Sequence, residues 1–141
     1  MGIAAWRSFL SYIAVVIKVS TNGNQVKIED VHMAVDAGKL LNPDRVKSQM
    51  EGSLIFGASL AFYGEITAKD GIVEQGNFDD YQMSRMHQIP DVHVHLVKSD
   101  AIPTGVGEPG LPPVAPALCN AIFAANGQRH RRLPMKDLRL V

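Results

Sequence analysis

The segment from Ile102 to Pro113 constrains the fold most strongly, because three glycines and four prolines fall within its twelve residues. Proline lacks a backbone donor and glycine favours turns, so this density excludes a regular helix or strand. Pro109 restricts Glu108 to an extended conformation, while Gly105 and Gly107 allow a ligand to approach the backbone closely. We call this segment the Gly-Pro loop. From the residues alone, Glu108 is either a solvated loop glutamate or a general base.

Length and composition limit the class of protein. The 141 residues, 46% of them hydrophobic and 20% charged, predict a single globular domain over residues 1–141. A net charge of zero argues against a nucleic-acid-binding protein. The apolar run Ile13–Ile17 is far shorter than the roughly 20 residues of a membrane-spanning helix. We recognise no targeting signal, which leaves the bacterial cytoplasm and periplasm both open.

A β-hairpin is predicted near the N-terminus. Phe9–Ser20 is rich in β-branched and aromatic residues, and Gln25–Val35 alternates between apolar and polar residues. The turn signal Asn22-Gly23-Asn24 separates the two segments. The alternation slips in phase near Asp30, which indicates a β-bulge.

A long helix is predicted over residues 43–63, with Asn42 as its N-cap and proline at its first position. Its second half, Leu54–Phe62, is apolar on all sides, which is typical of a helix buried on most faces. Gly52 and Gly57 lower helix propensity by about 1 kcal/mol each. We therefore expect the close approach of another backbone to compensate.

The second half of the chain predicts shorter elements and one further helix. They are a hairpin of Glu65–Ala68 and Ile72–Gln75, a half-buried strand at Val92–Leu96, a helix over residues 113–126 ended by Gly127, and a possible strand at Leu138–Val141. The expected fold class is α+β, with a mixed or antiparallel sheet packed against the two main helices.

Four ordered motifs resemble the C-terminal part of the molybdopterin-binding large subunit of the xanthine oxidase family, in its isoquinoline 1-oxidoreductase and aldehyde dehydrogenase branch. The motifs are Val35-Asp36-Ala37-Gly38 with Leu41–Asp44, Gln49-Met50-Glu51-Gly52 with Phe56-Gly57, Asn77–Tyr81 with Arg85-Met86, and Gly105–Gly110 with Pro112–Ala125. The resemblance covers nearly the whole chain. Two positions depart from the family, which commonly has a histidine near Trp6 and a glycine near Leu10.

The resemblance implies an oxidoreductase that oxidises aldehydes or N-heterocycles with a molybdopterin cofactor. It places the catalytic base at Glu108, which would take the proton from a molybdenum-bound hydroxyl. It also places Gln49 against the cofactor through its side-chain amide, with Gly105, Val106 and Gly107 in backbone contact near the metal. No residue of this chain is expected to ligate the metal itself.

The family's large subunit is much longer, and most of its cofactor-binding segments precede the part seen here. The resemblance therefore implies partners, namely the remaining large-subunit segments and a separate iron–sulfur subunit. By itself the chain is expected to bind no cofactor and to be inactive. The alternative is a non-catalytic truncated domain that folds and self-associates, and a homo-oligomer is expected of the isolated chain in either case.

Four other groups are interpreted as structural. His93 and His95 share a strand face but have no third metal ligand at a useful spacing, so a solvent-facing pair is expected. Asp79 and Asp80 are expected to be solvated or to cap the loop, and Cys119 to be a buried thiol that, as the only cysteine, forms no internal disulfide. The basic run Arg129–Arg132 is interpreted as a complement to a helix dipole.

Overall fold

The protein is described by a computed structural model that covers residues 1–141. Its elements are β1 (Gly2–Ser8), β2 (Ser11–Asn22), β3 (Gln25–Asp36), α1 (Pro43–Phe62), β4 (Ala68–Lys69), β5 (Ile72–Val73), a short 3-10 helix (Met86–Gln88), β6 (Val92–Leu96), α2 (Val114–Asn126) and β7 (Arg139–Leu140).

One mixed sheet organises the fold. Its strands lie in the order β1-β2-β3-β6, and β7 pairs with the same edge of β3 as β6. The β1–β2 and β2–β3 pairs are antiparallel, whereas β6 and β7 run parallel to β3. Alternate residues of β2 and β3 point towards α1 and α2, and 24 buried apolar residues form one core cluster between the sheet and the helices. The predicted α+β class is confirmed.

The predicted slip near Asp30 is a β-bulge. Lys18 of β2 pairs with Asp30, and the next residue, Val19, pairs with Ile28, so Glu29 is the extra residue. Because of this extra residue, the buried positions change from even to odd numbers along β3, from Val26 and Ile28 to Val31, Met33 and Val35.

The predicted start of the first hairpin was wrong in one respect. Residues 2–8 form a strand of their own, β1, and Phe9 and Leu10 are the turn that joins it to β2. Both turn residues have positive φ, at 50° and 64°. This turn lacks glycine, the residue that usually marks such a conformation, so the sequence pattern gave no signal for it. Helix α2 then packs so closely on β1 that a Cβ at Gly2 would lie 2.2 Å from the backbone nitrogen of Ala121.

The start of α1 agrees with the prediction. The side chain of Asn42 accepts a hydrogen bond from the Arg45 N–H at 3.2 Å, and proline occupies the first position. Most of the apolar second half is buried, but Ile55 and Phe56 are exposed on the side that faces away from the core.

The two glycines of α1 differ in what lies next to them. A Cβ at Gly57 would lie 2.6 Å from the Cβ of Val114, so this glycine allows α2 to approach closely through a side chain. At Gly52 nothing lies within 4 Å of the added carbon. The expectation that another backbone approaches both glycines was therefore wrong, because Gly52 faces open space.

The remaining predicted elements are present, and several are shorter than expected. The second hairpin turns on Asp70 and Gly71, and its strands β4 and β5 contain two residues each. Strand β6 is half buried as predicted, α2 ends at the left-handed Gly127, and β7 is the predicted C-terminal strand. None of the helices is both long and apolar enough to cross a membrane.

Candidate functional site

A small cleft lies where the Gly-Pro loop meets the middle of α1. The Gln49 side chain, on an exposed turn of α1, donates a hydrogen bond from Nε2 to the Gly107 carbonyl oxygen at 3.0 Å. The cleft has a volume of about 220 Å³ and is lined by Gln49, Gly52, Ser53, Phe56, Gly107, Glu108 and Leu111. The structure thus brings together Gln49, Gly107 and Glu108, which are far apart in the sequence.

Glu108 is exposed, while the two residues that follow it are buried. A Cβ at Gly110 would lie 2.8 Å from the Ser53 Cβ, so the loop presses directly against α1 at this point. The Leu111 N–H donates to the Glu108 carbonyl oxygen at 3.0 Å and closes a turn. This anchor fixes the backbone of Glu108 at the edge of the cleft and leaves its carboxylate accessible.

The other end of the loop is anchored to the turn between β1 and β2. Ser11 Oγ, fully buried, donates to the Gly105 carbonyl oxygen at 2.6 Å and lies 2.6 Å from Thr104 Oγ1. The Gly105 N–H donates to the Phe9 carbonyl oxygen at 3.1 Å. A Cβ at Gly105 would lie 2.6 Å from the Phe9 Cβ, so the protein's own packing requires glycine here. Neither Ser11 nor Phe9 belongs to a sequence motif, so their support of the loop could not be predicted from the sequence.

The cleft can hold a group that accepts hydrogen bonds. Gln49 keeps a second amide hydrogen that the Gly107 carbonyl does not use. The added carbon at Gly52 would meet nothing within 4 Å, so this wall has room for a ligand. No basic side chain lines the cleft, and the donors here are uncharged. These residues suit a part of a pterin–metal cofactor that is uncharged and accepts hydrogen bonds. They do not suit its phosphate group, which needs cationic partners that this cleft lacks.

The fold and this cleft define an α+β domain in which one loop carboxylate stands beside a neutral amide donor. Residues 7–90 match the family described as molybdopterin cofactor-binding domain. The chain therefore belongs to this family of molybdopterin-binding domains, which is part of the xanthine oxidase family.

Three relatives illustrate the similarity. The chain is 41% identical, over 89% of its length, to the isoquinoline 1-oxidoreductase subunit beta of Brevundimonas diminuta. It is 32% identical over 85% of its length to a membrane-bound aldehyde dehydrogenase (pyrroloquinoline-quinone) of Gluconacetobacter polyoxogenes. It is 33% identical over 81% of its length to the xanthine dehydrogenase molybdenum-binding subunit of Escherichia coli O157:H7. The chain spans 16% of the length of each of these proteins.

Solved structures share the fold. Aldehyde oxidoreductase from Desulfovibrio gigas matches 92% of this chain with a TM-score of 0.76 at 24% identity, and the match covers 15% of that protein. Quinoline 2-oxidoreductase from Pseudomonas putida 86 matches 90% with a TM-score of 0.75 at 17% identity, and the match covers 17% of that protein. The arrangement of the sheet and the two helices is therefore one that larger proteins also contain.

The interpretation of the Asp79–Asp80 loop agrees with the structure, and Cys119 is less buried than expected. The Asp80 carboxylate caps its loop by accepting hydrogen bonds from the Gly76 and Asn77 N–H groups at 2.7 and 3.1 Å. These bonds lower the pKa of Asp80. Cys119 is half buried, and this burial raises the pKa of its thiol. Arg129 bends back over the Phe123 ring, 3.7 Å from its centroid.

The interpretation of the histidine pair was wrong about its surroundings. His93 and His95 do share an exposed face of β6, but Asp30 and His32 of β3 lie beside them. Spacing along the chain could not show this, because β3 and β6 are separated by α1 and pair in parallel.

Proposed function

We propose that this chain is the part of a molybdopterin-dependent oxidoreductase that carries the general base, Glu108. The observation that carries the proposal is the Gln49–Gly107 hydrogen bond, which holds the Gly-Pro loop against α1 with Glu108 at the edge of the same cleft. Membership of the molybdopterin-binding family supports the choice of cofactor. The chain spans only about a sixth of the length of its relatives. The activity therefore belongs to a larger assembly to which this domain contributes.

When bound, the cofactor supplies a redox centre that accepts the electrons removed from the substrate. The role of Glu108 is to accept a proton at a carboxylate oxygen as the substrate is oxidised. Closure of the cleft by other segments would exclude water from this carboxylate, which suits a general base. Gln49 orients the loop through its bond to Gly107 and offers its second amide hydrogen to the cofactor.

Gly105, Val106 and Gly107 are proposed to place backbone against the cofactor. Gly107 is the more open of the two glycines, because an added Cβ there would meet only Gln49 Nε2, at 4.0 Å. Gly105 is held by Ser11 and Phe9, so its contribution is to fix the path of the loop.

The names of the relatives suggest the substrate class. They refer to isoquinoline, to aldehydes and to xanthine, which are aldehydes and N-heterocycles. We infer that the enzyme containing this chain oxidises a substrate of this kind and passes the electrons to an iron–sulfur partner subunit.

A second candidate function is a non-catalytic domain that folds and self-associates without a cofactor. The exposure of Trp6, Tyr12 and Phe56 favours it, because large apolar side chains on a surface usually contact a partner. Molybdenum and pterin analysis of the larger assembly, purified from its own host, distinguishes the two. Stoichiometric molybdenum supports the enzyme, and its absence supports the non-catalytic domain.

The decisive substitution is Glu108→Gln in the host's own enzyme. Glutamine keeps the shape of the side chain but cannot accept the proton, so we expect turnover of an aromatic aldehyde to fall by about 10²–10⁴-fold. Molybdenum content and the stability of the fold should be unchanged, since an exposed loop substitution alters the free energy of unfolding by less than about 0.5 kcal/mol.

The matched control is Glu51→Gln, which makes the same chemical change on an exposed residue of α1 that does not line the cleft. It should leave turnover unchanged. If Glu108→Gln also retains turnover within about threefold at equal molybdenum content, general-base catalysis by this residue is excluded.

A further inference from the structure

Three metal-ligating side chains meet on the exposed face of the sheet. Asp30 and His32 of β3 and His93 of β6 each present one ligand atom, and these atoms all lie within 4.8 Å of one another. His32 Nε2 lies 3.2 Å from Asp30 Oδ2, and His93 Nε2 lies 3.4 Å from Asp30 Oδ1. The two carboxylate oxygens therefore face two different imidazoles.

The strand pairing creates this cluster. His32 is the direct neighbour of His93 in the parallel β3–β6 pair, so the two side chains project from the same face. The bulge at Glu29 leaves Asp30 in phase with His32 on that face, while Val31 and Met33 point into the core. The helices and the Gly-Pro cleft pack against the core side of the sheet, so this cluster is separate from the cleft.

From this geometry we propose that Asp30, His32 and His93 bind one zinc ion. A tetrahedral zinc site with ligand bonds near 2.0 Å places neighbouring ligand atoms about 3.3 Å apart. The separations from the two Asp30 oxygens to the two histidines, 3.2 and 3.4 Å, are close to that spacing, and the full set of three ligand atoms lies within 4.8 Å, so side-chain rotation can bring it to tetrahedral geometry. Two imidazole nitrogens and one carboxylate oxygen are ligands that zinc prefers, and water completes the fourth position because the site is open to solvent.

His95 is positioned to support the site from outside the ligand set. Its Nε2 lies 2.8 Å from His32 Nδ1. When His32 binds zinc through Nε2, its Nδ1 carries the proton and donates to His95. A hydrogen bond of this kind fixes the tautomer and the direction of a metal-binding imidazole.

Asp30 is available for zinc, because it forms no ion pair with Lys18, its direct neighbour on β2. The adjacent Glu29 carboxylate is already bonded to Ser20 Oγ at 2.6 Å and to Lys27 Nζ at 3.0 Å, which lowers its pKa. The only side chains that bond to the Asp30 carboxylate are those of His32 and His93. The His32 and His93 rings are stacked, with centroids 4.7 Å apart, and zinc binding requires the exposed His93 ring to turn so that its nitrogen points at the ion.

The test is to titrate the untagged 141-residue chain with zinc chloride in an isothermal titration calorimeter. Thermal unfolding is then measured with and without zinc. We expect one zinc ion per chain and a higher melting temperature, because the ion ties β6 to β3. Asp30→Asn and His93→Gln should each weaken zinc binding by more than about tenfold, and His95→Gln by about tenfold.

His87→Gln is the matched control, since His87 is exposed on the short 3-10 helix away from the cluster. It should bind zinc as tightly as the parent. All these side chains are exposed or half exposed, and circular dichroism of each variant verifies the fold. The proposal is overturned if the parent takes up no zinc at high micromolar concentration, or if Asp30→Asn and His93→Gln bind it as the parent does.

Discussion

At the scale of single residues, the turn between β1 and β2 has an unusual backbone for its side chains. Phe9 and Leu10 both have positive φ, a region that costs a non-glycine residue about 1–2 kcal/mol. Phe9 also supports the Gly-Pro loop, because its carbonyl oxygen accepts the Gly105 N–H and its Cβ covers Gly105. Leu10 has no such role and its side chain is 69% exposed.

Leu10→Gly should therefore stabilise the protein. Glycine adopts φ near 64° without the steric cost of a Cβ, and this gain exceeds the loss of chain entropy by about 1 kcal/mol. Chemical denaturation should show a higher midpoint with an unchanged slope. Ile102→Gly is the control, since this exposed loop residue does not have a positive φ, and it should lower stability. A lower midpoint for Leu10→Gly would show that the turn is not strained.

At the scale of elements, the two glycines of α1 give opposite expectations for the same substitution. Gly52→Ala adds a methyl group where nothing lies within 4 Å, so helix propensity alone should raise the free energy of unfolding by about 1 kcal/mol. Gly57→Ala places that methyl group 2.6 Å from the Val114 Cβ. The helices must then separate, and we expect a net loss of about 1–3 kcal/mol.

Thermal or chemical unfolding of the two single variants checks this pair, and each serves as the control for the other. Equal effects of the two substitutions would contradict the close packing of α1 on α2 at Gly57.

The sequence predicted those elements whose signals are local. Asn42 and the following proline marked the start of α1, Gly127 marked the end of α2, and the phase slip near Asp30 marked the bulge. It did not predict β1, whose turn has no glycine. Nor could it predict the neighbours of His93, because the parallel β3–β6 pairing joins segments on either side of a helix.

In the candidate site, too, the features with a local sequence signal were predicted and those that depend on long-range contacts were not. The Gly-Pro loop and Glu108 were recognised from composition, and Gln49 from a motif. Their meeting in one cleft depends on contacts that no local pattern encodes, such as Gly110 against Ser53 and Gly105 against Phe9.

At the scale of the whole molecule, the outer face of β1 and β2 is uncovered and mostly apolar near the turn that joins the two strands. A surface cavity of about 430 Å³ lies on this face, and most of its lining is apolar, including Ala5, Tyr12, Ala14 and Val97. Tyr12 on this face is 53% exposed. Ile55 and Phe56 add a second exposed apolar area on α1.

We therefore expect the isolated chain to form a two-fold homodimer at high micromolar concentration, because such faces associate in water. Light scattering measures the mass directly. Tyr12→Ser should shift the protein towards the monomer, whereas Val73→Ser, a change at an equally exposed residue of the β4–β5 hairpin, should leave the mass unchanged. A parent chain that stays monomeric would refute the expectation.

The shared edge of β3 also has a consequence for how the chain folds. The β1–β2–β3 meander needs only short turns, but the opposite edge of β3 is completed by β6 and by β7, which come from distant parts of the sequence. Contacts of such long range are costly in loop entropy and slow the search for the native state. During synthesis the meander can therefore form early, with an open edge that can pair with another chain until β6 and β7 have been made.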